Sequence, residues 1–386
     1  MSSIRVAIAG VGNCASALLQ GLTYYSPRNT RNRVGLLRRS IAGLSPASIR
    51  PVAAFDVDRR KVGKSLAEAA AASPNCTLRF CDMLRADDVV VEMGPLLDGV
   101  APHMAEAEAE CGFFPAGMPA VDVAASLRRA RVEVLVCYLP VGSEKAVRYY
   151  ADACIRAGVA FVNCVPVFIS SDPAWEKRFR FAGLPLIGDD VKSQLGATIV
   201  HRSLATLCSD RGVVIDRTFQ LNVGGNTDFR NMLDRRRLAS KKTSKTEAVQ
   251  ACLQDRLDPH AIHIGPSDFV PWLDDQKVCF IRIEGRGFGG APVELDLRLV
   301  VHDSPNSAGV VIDLIRYARL ARLVGAVGAI QPVCALYMKR PPVQMREEAA
   351  RAALRRFEGR LKAVAARPPA SAKKSAVRGA SGGGTR

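Results

Sequence analysis

The stretch Ile4-Arg5-Val6-Ala7-Ile8-Ala9-Gly10-Val11-Gly12-Asn13-Cys14-Ala15 decides how the rest of the chain is read. Its first six residues form a short β-branched run, and residues 15–25 place Leu18, Leu19 and Leu22 at helical spacing. A strand running through G-x-G-x-x-A into a helix is the context that a dinucleotide turn needs. The first glycine permits a tight turn, the second lets the backbone approach a pyrophosphate, and the small third position lets helix pack on strand. The first amides of the helix then face the anion. Gly10 and Gly12 are therefore candidate cofactor contacts.

Working outward, a second strand is expected at 51–58, PVAAFDVD, and Asp56 near its end is a candidate ribose ligand. Asp56 lies further from the glycines than the usual ~20 residues, because an arginine-rich stretch, 26–50, intervenes and is expected to be an exposed insertion. Further strands are expected at 132–139, 160–165 and 184–188, with helices over 142–158 and 172–182. Strand alternating with helix implies a Rossmann-like, doubly wound parallel sheet of the α/β class. After residue 200 the segments 213–223, 278–284 and 293–302 alternate apolar and polar residues, which points to antiparallel strands with one wet face. Helices are expected over 307–323, capped by Asn306 or Ser307, and over 346–366.

Composition bounds the function. The chain has 386 residues, 48% of them hydrophobic, and carries a net charge of +17. That suits a large two-part globular protein rather than a disordered or fibrous one. Three stretches hold the excess: 26–50, 230–245 and 359–386 carry +6, +6 and +7, and the remainder is near neutral. Polyanion binding is thus a question about segments, and nucleic acid is not an expected partner. Eleven scattered cysteines without a C-x-x-C pair resemble reduced intracellular thiols. No apolar run reaches the roughly 20 residues of a membrane span, and no basic stretch followed by an apolar core precedes the first strand. A cytoplasmic location is expected, with a disordered basic tail from 359 to 386.

Chemistry-bearing residues gather in a few places. Gly188-Asp189-Asp190-Val191-Lys192-Ser193-Gln194-Leu195-Gly196-Ala197-Thr198 follows a strand and opens a helix, which makes a second anion site or an ordinary capped helix start. Gly224-Gly225-Asn226 and Asp228 end another strand. Lys241 and Lys245 are four apart, hence on one helix face, an arrangement useful where negative charge develops on oxygen. Lys277 and Lys339 are isolated lysines in Asp- and Pro-marked contexts, for which solvated side chains are the default. The five histidines offer no metal spacing, and His260 and His263 are expected in a surface turn.

Taken in order, VAIAGVGNCAS, VAAFDVD, VCYLPVGSE, FVNCVPVFIS, IGDDVKSQLGAT, LNVGGNTDF-NML, SKKTSKT, HIGPSDFVPWLDDQK, DSPNSAGVVID and YMKRPP resemble the inositol-3-phosphate synthase family, short bacterial type. The resemblance implies an NAD-binding domain over 1–199, an α+β catalytic and tetramerisation domain over 200–303, and a return to the first domain over 304–358. It implies an isomerase that converts D-glucose 6-phosphate to 1D-myo-inositol 3-phosphate while recycling a tightly bound NAD, in a homotetramer. The alternative is an NAD-dependent dehydrogenase or cyclase paralogue acting on another sugar phosphate.

By motif, Lys241, Lys245, Lys277, Lys339 and Asp228 are implied to be catalytic. Gly10, Gly12, Asn13, Asp56, Tyr149, Asp190, Lys192, Ser193, Asp228, Lys241 and Asp303 are implied to hold the cofactor. Ser193, Gln194, Thr198, Gly225 and Asn226 are implied to hold the substrate and its phosphate. The resemblance leaves room for a divalent or monovalent cation, and Asp303 is its candidate ligand.

Overall fold

The computed structural model describes residues 3–26, 34–83, 86, 88–106, 112–253 and 255–365. Residues 359–365 of the expected disordered tail are helical, as the end of the last helix, whereas the tail beyond 365 and Arg28, Arg31 and Arg33 lie outside the described residues. In chain order the strands are β1 (Ile4–Ala9), β2 (Ile49–Asp56), β3 (Val91–Met93), β4 (Val134–Cys137), β5 (Ala160–Asn163), β6 (Pro185–Ile187), β7 (Val214–Gly224), β8 (Ile262–Phe269), β9 (Gln276–Arg286), β10 (Pro292–His302) and β11 (Gly328–Ala329). The helices are α1 (Asn13–Tyr24), α2 (Leu66–Ala71), α3 (Pro102–Ala105), α4 (Val123–Arg129), α5 (Glu144–Ala157), α6 (Pro173–Phe181), α7 (Ala197–Asp210), α8 (Thr227–Asn231), α9 (Ala239–Gln250), α10 (Asp303–Leu323), α11 (Gln331–Tyr337) and α12 (Glu347–Ala365).

One sheet has the order β11-β6-β5-β4-β1-β2-β3, with every pair parallel. The strand order reverses between β1 and β4, so their carboxyl ends open a crevice in which such sheets bind ligands. The short central strands β4, β5 and β6 are buried along their whole length, as expected for strands covered on both faces. Val6, Ile8, Val134 and Val136 face one core with α1 and α10, whereas Ala7, Leu135 and Phe161 face the other with α4 and α5.

The second sheet has the order β10-β9-β7-β8. β7, β9 and β10 are antiparallel, but β8 runs parallel to β7, because α8 and α9 carry the chain across between them. Its inward rows set Thr218, Gln220 and Asn222 of β7 opposite Ile283, Ile281 and Cys279 of β9. Three buried polar residues thus occupy one inner row, while Phe219 and Leu221 point to the opposite face of the strand. Alternation alone reads that strand with the wrong face wet. His263 belongs to β8 rather than to a turn.

Two other expectations fail for packing reasons. The part of the arginine-rich stretch that is described, 34–50, is not a solvated insertion, since Ile41, Leu44 and Ile49 are buried in the α1–α10 core. A fully buried Arg316 holds it by donating to the carbonyls of Arg38 (2.8 Å), Leu44 (3.1 Å) and Arg39 (3.2 Å) while pairing with Asp313. Asn306 and Ser307 do not cap α10, which begins at Asp303. The Asn306 amide instead clamps Leu195 on both sides, accepting from its N–H (3.0 Å) and donating to its carbonyl (2.8 Å).

Among the described residues, no helix is long and apolar enough to cross a membrane. Arg316→Met leaves Asp313 buried with Tyr337 as its remaining hydrogen-bond donor and should cost about 3–5 kcal/mol, the scale for breaking a buried pair. Urea denaturation measures this, and a loss under ~1 kcal/mol would show that the ion pair does not hold the 34–50 segment.

Candidate active site

The cleft opens at the carboxyl ends of β1, β2 and β4 and runs under the second sheet. Its main chamber, about 1150 Å³ when, as for the limbs below, the space open to solvent is included, is lined by Gly12 and Asn13 of the glycine turn, by Asp190 and Ser193, and by Asp228, Lys245, Lys277, Asp303 and Lys339. An apolar limb of about 590 Å³ continues past Gly10, Asp56 and Tyr138. A small polar limb of about 310 Å³ ends at Gly196, Ala197 and Thr198 and shares Ser193, Lys245, Lys277 and Lys339 with the chamber.

The turn at the head of the cleft has the geometry of a phosphate cradle. Gly10 has φ +88°, and a Cβ there would lie 2.8 Å from the Tyr138 carbonyl oxygen, so no other residue fits. At Gly12 a Cβ would meet nothing within 4 Å, which leaves open space over the backbone. Asp56 accepts from the amides of Val11 (2.7 Å), Val57 (2.7 Å) and Asp58 (3.0 Å), fixing the turn to the end of β2. Among the described residues, the buried Tyr138 hydroxyl has no hydrogen-bond partner, although its residue lines both the chamber and the apolar limb. Open backbone, an acid at the tip of β2 and an unsatisfied hydroxyl fit a dinucleotide.

The cations are placed by long-range pairing. Residues 189–192 run antiparallel to 337–340: Lys339 N donates to Asp190 O (2.7 Å), Lys192 N to Tyr337 O (2.8 Å), and Asp189 and Arg340 exchange both backbone bonds. This sets the Lys339 ammonium 2.8 Å from Asp190, whose other oxygen accepts from the Ser244 hydroxyl (2.8 Å) of α9. Lys277, near the start of β9, pairs at 3.0 Å with Asp303, the first residue of α10. Burial pulls the Lys277 pKa down, but Asp303 and then Asp228 more than offset it, so the group is held charged. Lys245 lies on α9, almost fully buried. Lys241 is one turn earlier on the same helix, and its side chain is outside the described part of the structure.

Gly196, which has no side chain to cap the helix, precedes α7, so the unpaired first amides of a 14-residue helix face the polar limb with three lysines. Asn226 caps α8 through Asp228 N (3.1 Å) and Phe229 N (3.3 Å) and donates to Asp275 (3.2 Å). Asp275 also accepts from Ser304 N and its hydroxyl. Burial and then the nearby Asp303 push its carboxyl up to about 7. Burial, followed by Asp303, Asp275 and Asp228, raises the Cys14 thiol to about 12, so this cysteine on the cleft wall is not a thiolate nucleophile.

Four expected contacts serve the frame of the site instead of its surface. Lys192 is buried and donates to the carbonyls of Ala335 (3.0 Å) and Leu336 (3.1 Å) at the end of α11, where burial lowers its pKa to about 7. Gln194 donates to the Gly35 carbonyl, tying the cleft loop to the 34–50 segment. Gly225 lets residues 270–274 pass, since a Cβ would sit 2.4 Å from Asp274 N. Tyr149 is half-buried, edge-on to Tyr150, and it is Tyr150 that reaches the apolar limb. No group of three metal-binding side chains occurs among the described residues, and the Lys277 ammonium takes up the Asp303 carboxylate.

The comparisons with known proteins agree with this geometry. The chain is 51% identical over 359 residues to the inositol-3-phosphate synthase of Mycolicibacterium smegmatis, covering 92% of this chain and 97% of that one. This chain belongs to the inositol-3-phosphate synthase family. The Corynebacterium glutamicum synthase is 50% identical over 92% of this chain and 98% of its own, and a family model, myo-inositol-1-phosphate synthase, matches residues 196–304. Among solved structures, a myo-inositol-1-phosphate synthase-related protein from Thermotoga maritima superposes with a TM-score of 0.77 at 25% identity, covering 92% of this chain and 98% of that one. The inositol-3-phosphate synthase of Caenorhabditis elegans, 14% identical, shares the fold with a TM-score of 0.69, over 94% of this chain and 86% of its own.

Gln220 and Asn222, which line the polar limb, are site residues that the strand pattern concealed, because they are polar side chains in an inward row. They are backed by His201, buried on α7, whose Nε2 lies 2.9 Å from the Thr218 hydroxyl and Nδ1 3.3 Å from Gln220 Oε1. Burial holds the His201 pKa down at about 4, against an ordinary value near 6.5. A depressed folded-state pKa means stability that is complete above pH ~6.5 and is lost as pH falls towards ~4, by up to about 3 kcal/mol. His201→Gln should remove this share of the acid-side loss, measured as urea midpoints from pH 7 to pH 4 for the two proteins. An unchanged acid slope would contradict a neutral buried His201.

Proposed function

We propose that the protein is an NAD-dependent isomerase that converts D-glucose 6-phosphate to 1D-myo-inositol 3-phosphate by oxidation at C5, enolisation, intramolecular aldol closure and re-reduction, with no net consumption of NAD. The observation that carries this is the convergence of Lys245, Lys277 and Lys339 on a polar limb that opens from the chamber lined by Gly12 and Asn13 of the glycine turn. A plain dehydrogenase needs one proton relay; several ammonium groups around one small site suit a sequence in which ketone, enolate and alkoxide oxygens form in turn. About 50% identity to synthases over nearly their whole length supports the same reading.

Gly10, Gly12, Asn13 and Asp56 would hold NAD, with the Tyr138 hydroxyl on the wall beside it. When bound, it supplies a hydride acceptor and donor. The residues of the chain do the rest. The amides at the start of α7, with Ser193 and Thr198, bind the phosphate, which the lysines also attract. Lys339, oriented by Asp190, and Lys245 stabilise the carbonyl and enolate oxygens. Lys241 handles the proton at the C5 oxygen, and Lys277, kept charged by Asp303, adds positive potential to the same pocket. The burial of Lys245 and the partial burial of Lys277 and Lys339 exclude much of the water that would screen them.

Incubating the protein with NAD and glucose 6-phosphate should yield inositol phosphate, detected by phosphorus NMR, without accumulation of NADH. Lys339→Ala and Lys277→Ala should each lose at least about a hundredfold in kcat/KM, the scale for one preorganised stabiliser. Net NADH release would favour a dehydrogenase, and mild effects in both variants would refute the lysine chemistry.

A further inference from the structure

Lys61 is a buried cation to which the reaction above assigns no part. It lies in the connection between β2 and α2, is 2% exposed, and lines the apolar limb of the cleft together with Gly10, Val11 and Gly12. Its ammonium donates to the Val11 carbonyl (2.7 Å) and to Asn75 Oδ1 (3.1 Å), and the Asn75 amide donates to the same carbonyl (3.1 Å). On the other side of Val11, its N–H is held by Asp56 at 2.7 Å. The two peptide groups on either side of Val11 are therefore each held by side chains from other parts of the chain, Gly10–Val11 through its N–H and Val11–Gly12 through its carbonyl.

The Val11–Gly12 bond is trans, so the carbonyl of Val11 and the N–H of Gly12 point in opposite directions. Holding the carbonyl down on Lys61 and Asn75 turns the Gly12 N–H away from them, at a residue where even a Cβ would meet nothing within 4 Å. A carbonyl accepting from a cation is also polarised, which strengthens its own peptide N–H as a donor. The buried positive charge beneath the turn adds to the attraction for an anion.

We propose that Lys61, assisted by Asn75, is the positioning residue of the dinucleotide turn, fixing the Val11 carbonyl so that the Gly12 amide is aimed at the pyrophosphate. This rests on the dinucleotide reading of the cleft. The role belongs to binding rather than to chemistry, and it discriminates between ligands that carry a pyrophosphate and those that do not.

Calorimetric titration of the full chain, stripped of nucleotide, with ADP-ribose and with adenosine tests the proposal. Lys61→Met should weaken ADP-ribose at least about tenfold, the value of a charged hydrogen bond, and leave adenosine within about twofold. If Lys61→Met does not fold, Asn75→Ala, which keeps the lysine, should weaken ADP-ribose at least about threefold and leave adenosine unchanged. ADP-ribose bound as tightly by the folded variant as by the native chain overturns the proposal, and so does an equal loss for adenosine, which would mean a collapsed pocket. A native chain that binds neither ligand overturns the dinucleotide reading itself, and the proposal with it.

Discussion

Several lysine side chains have to be held close together inside one cleft, and much of the architecture follows from how they are compensated. Lys245, Lys277 and Lys339 stand with Asp190, Asp228 and Asp303 on the same walls. Buried pairs of this kind contribute little to stability, since desolvation of both partners offsets most of their attraction. Their value is order: each lysine is aimed by a carboxylate that is itself held, Asp190 by the hydroxyl of Ser244 as well as by Lys339, and Asp303 by its place at the start of α10. A phosphorylated, oxyanion-forming ligand then meets positive potential that needs no rearrangement.

No single segment could supply that set. Asp190 follows β6 of the parallel sheet, Lys245 is on a helix between β7 and β8, Lys277 is the second residue of β9, and Lys339 arrives only after α10 and α11 have returned the chain to the first sheet. The return is fastened by the backbone pairing of 189–192 with 337–340, by Lys192 at the end of α11, and by Arg316, which pins the 34–50 segment onto α10. Gln194 links that segment to the cleft loop, so residues of the arginine-rich stretch reach the active site as scaffold rather than as contacts.

Much of this was legible in order of chemical distinctiveness. The glycine turn could be read because Gly10 and Gly12 have backbone requirements that their neighbours in sequence announce. The lysines could be read because ten motifs in a fixed order resemble one family. Less legible were residues whose type misleads or says nothing: Gln220 and Asn222 look like the wet side of a strand and face inward, His201 and Lys61 stand in no motif and are buried, and Lys192, implied as a cofactor contact, is buried against the end of α11. Tyr149 and Tyr150 are adjacent aromatics, and only the rotation of α5 chooses which one reaches the cleft.

The sequence by itself determined the parallel α/β sheet and the position of its glycine turn, because local periodicity and glycine stereochemistry are carried by neighbouring residues, and it named the candidate lysines through the resemblance of its ordered motifs to one family. Tertiary structure alone decided which of the many charged side chains became site and which became frame. That choice depends on partners 26 to 277 positions away, such as Asp303 for Lys277, Asp190 for Lys339 and the Arg39 carbonyl for Arg316. A buried charge is defined by what surrounds it, and those surroundings exist only once the chain has folded back on itself.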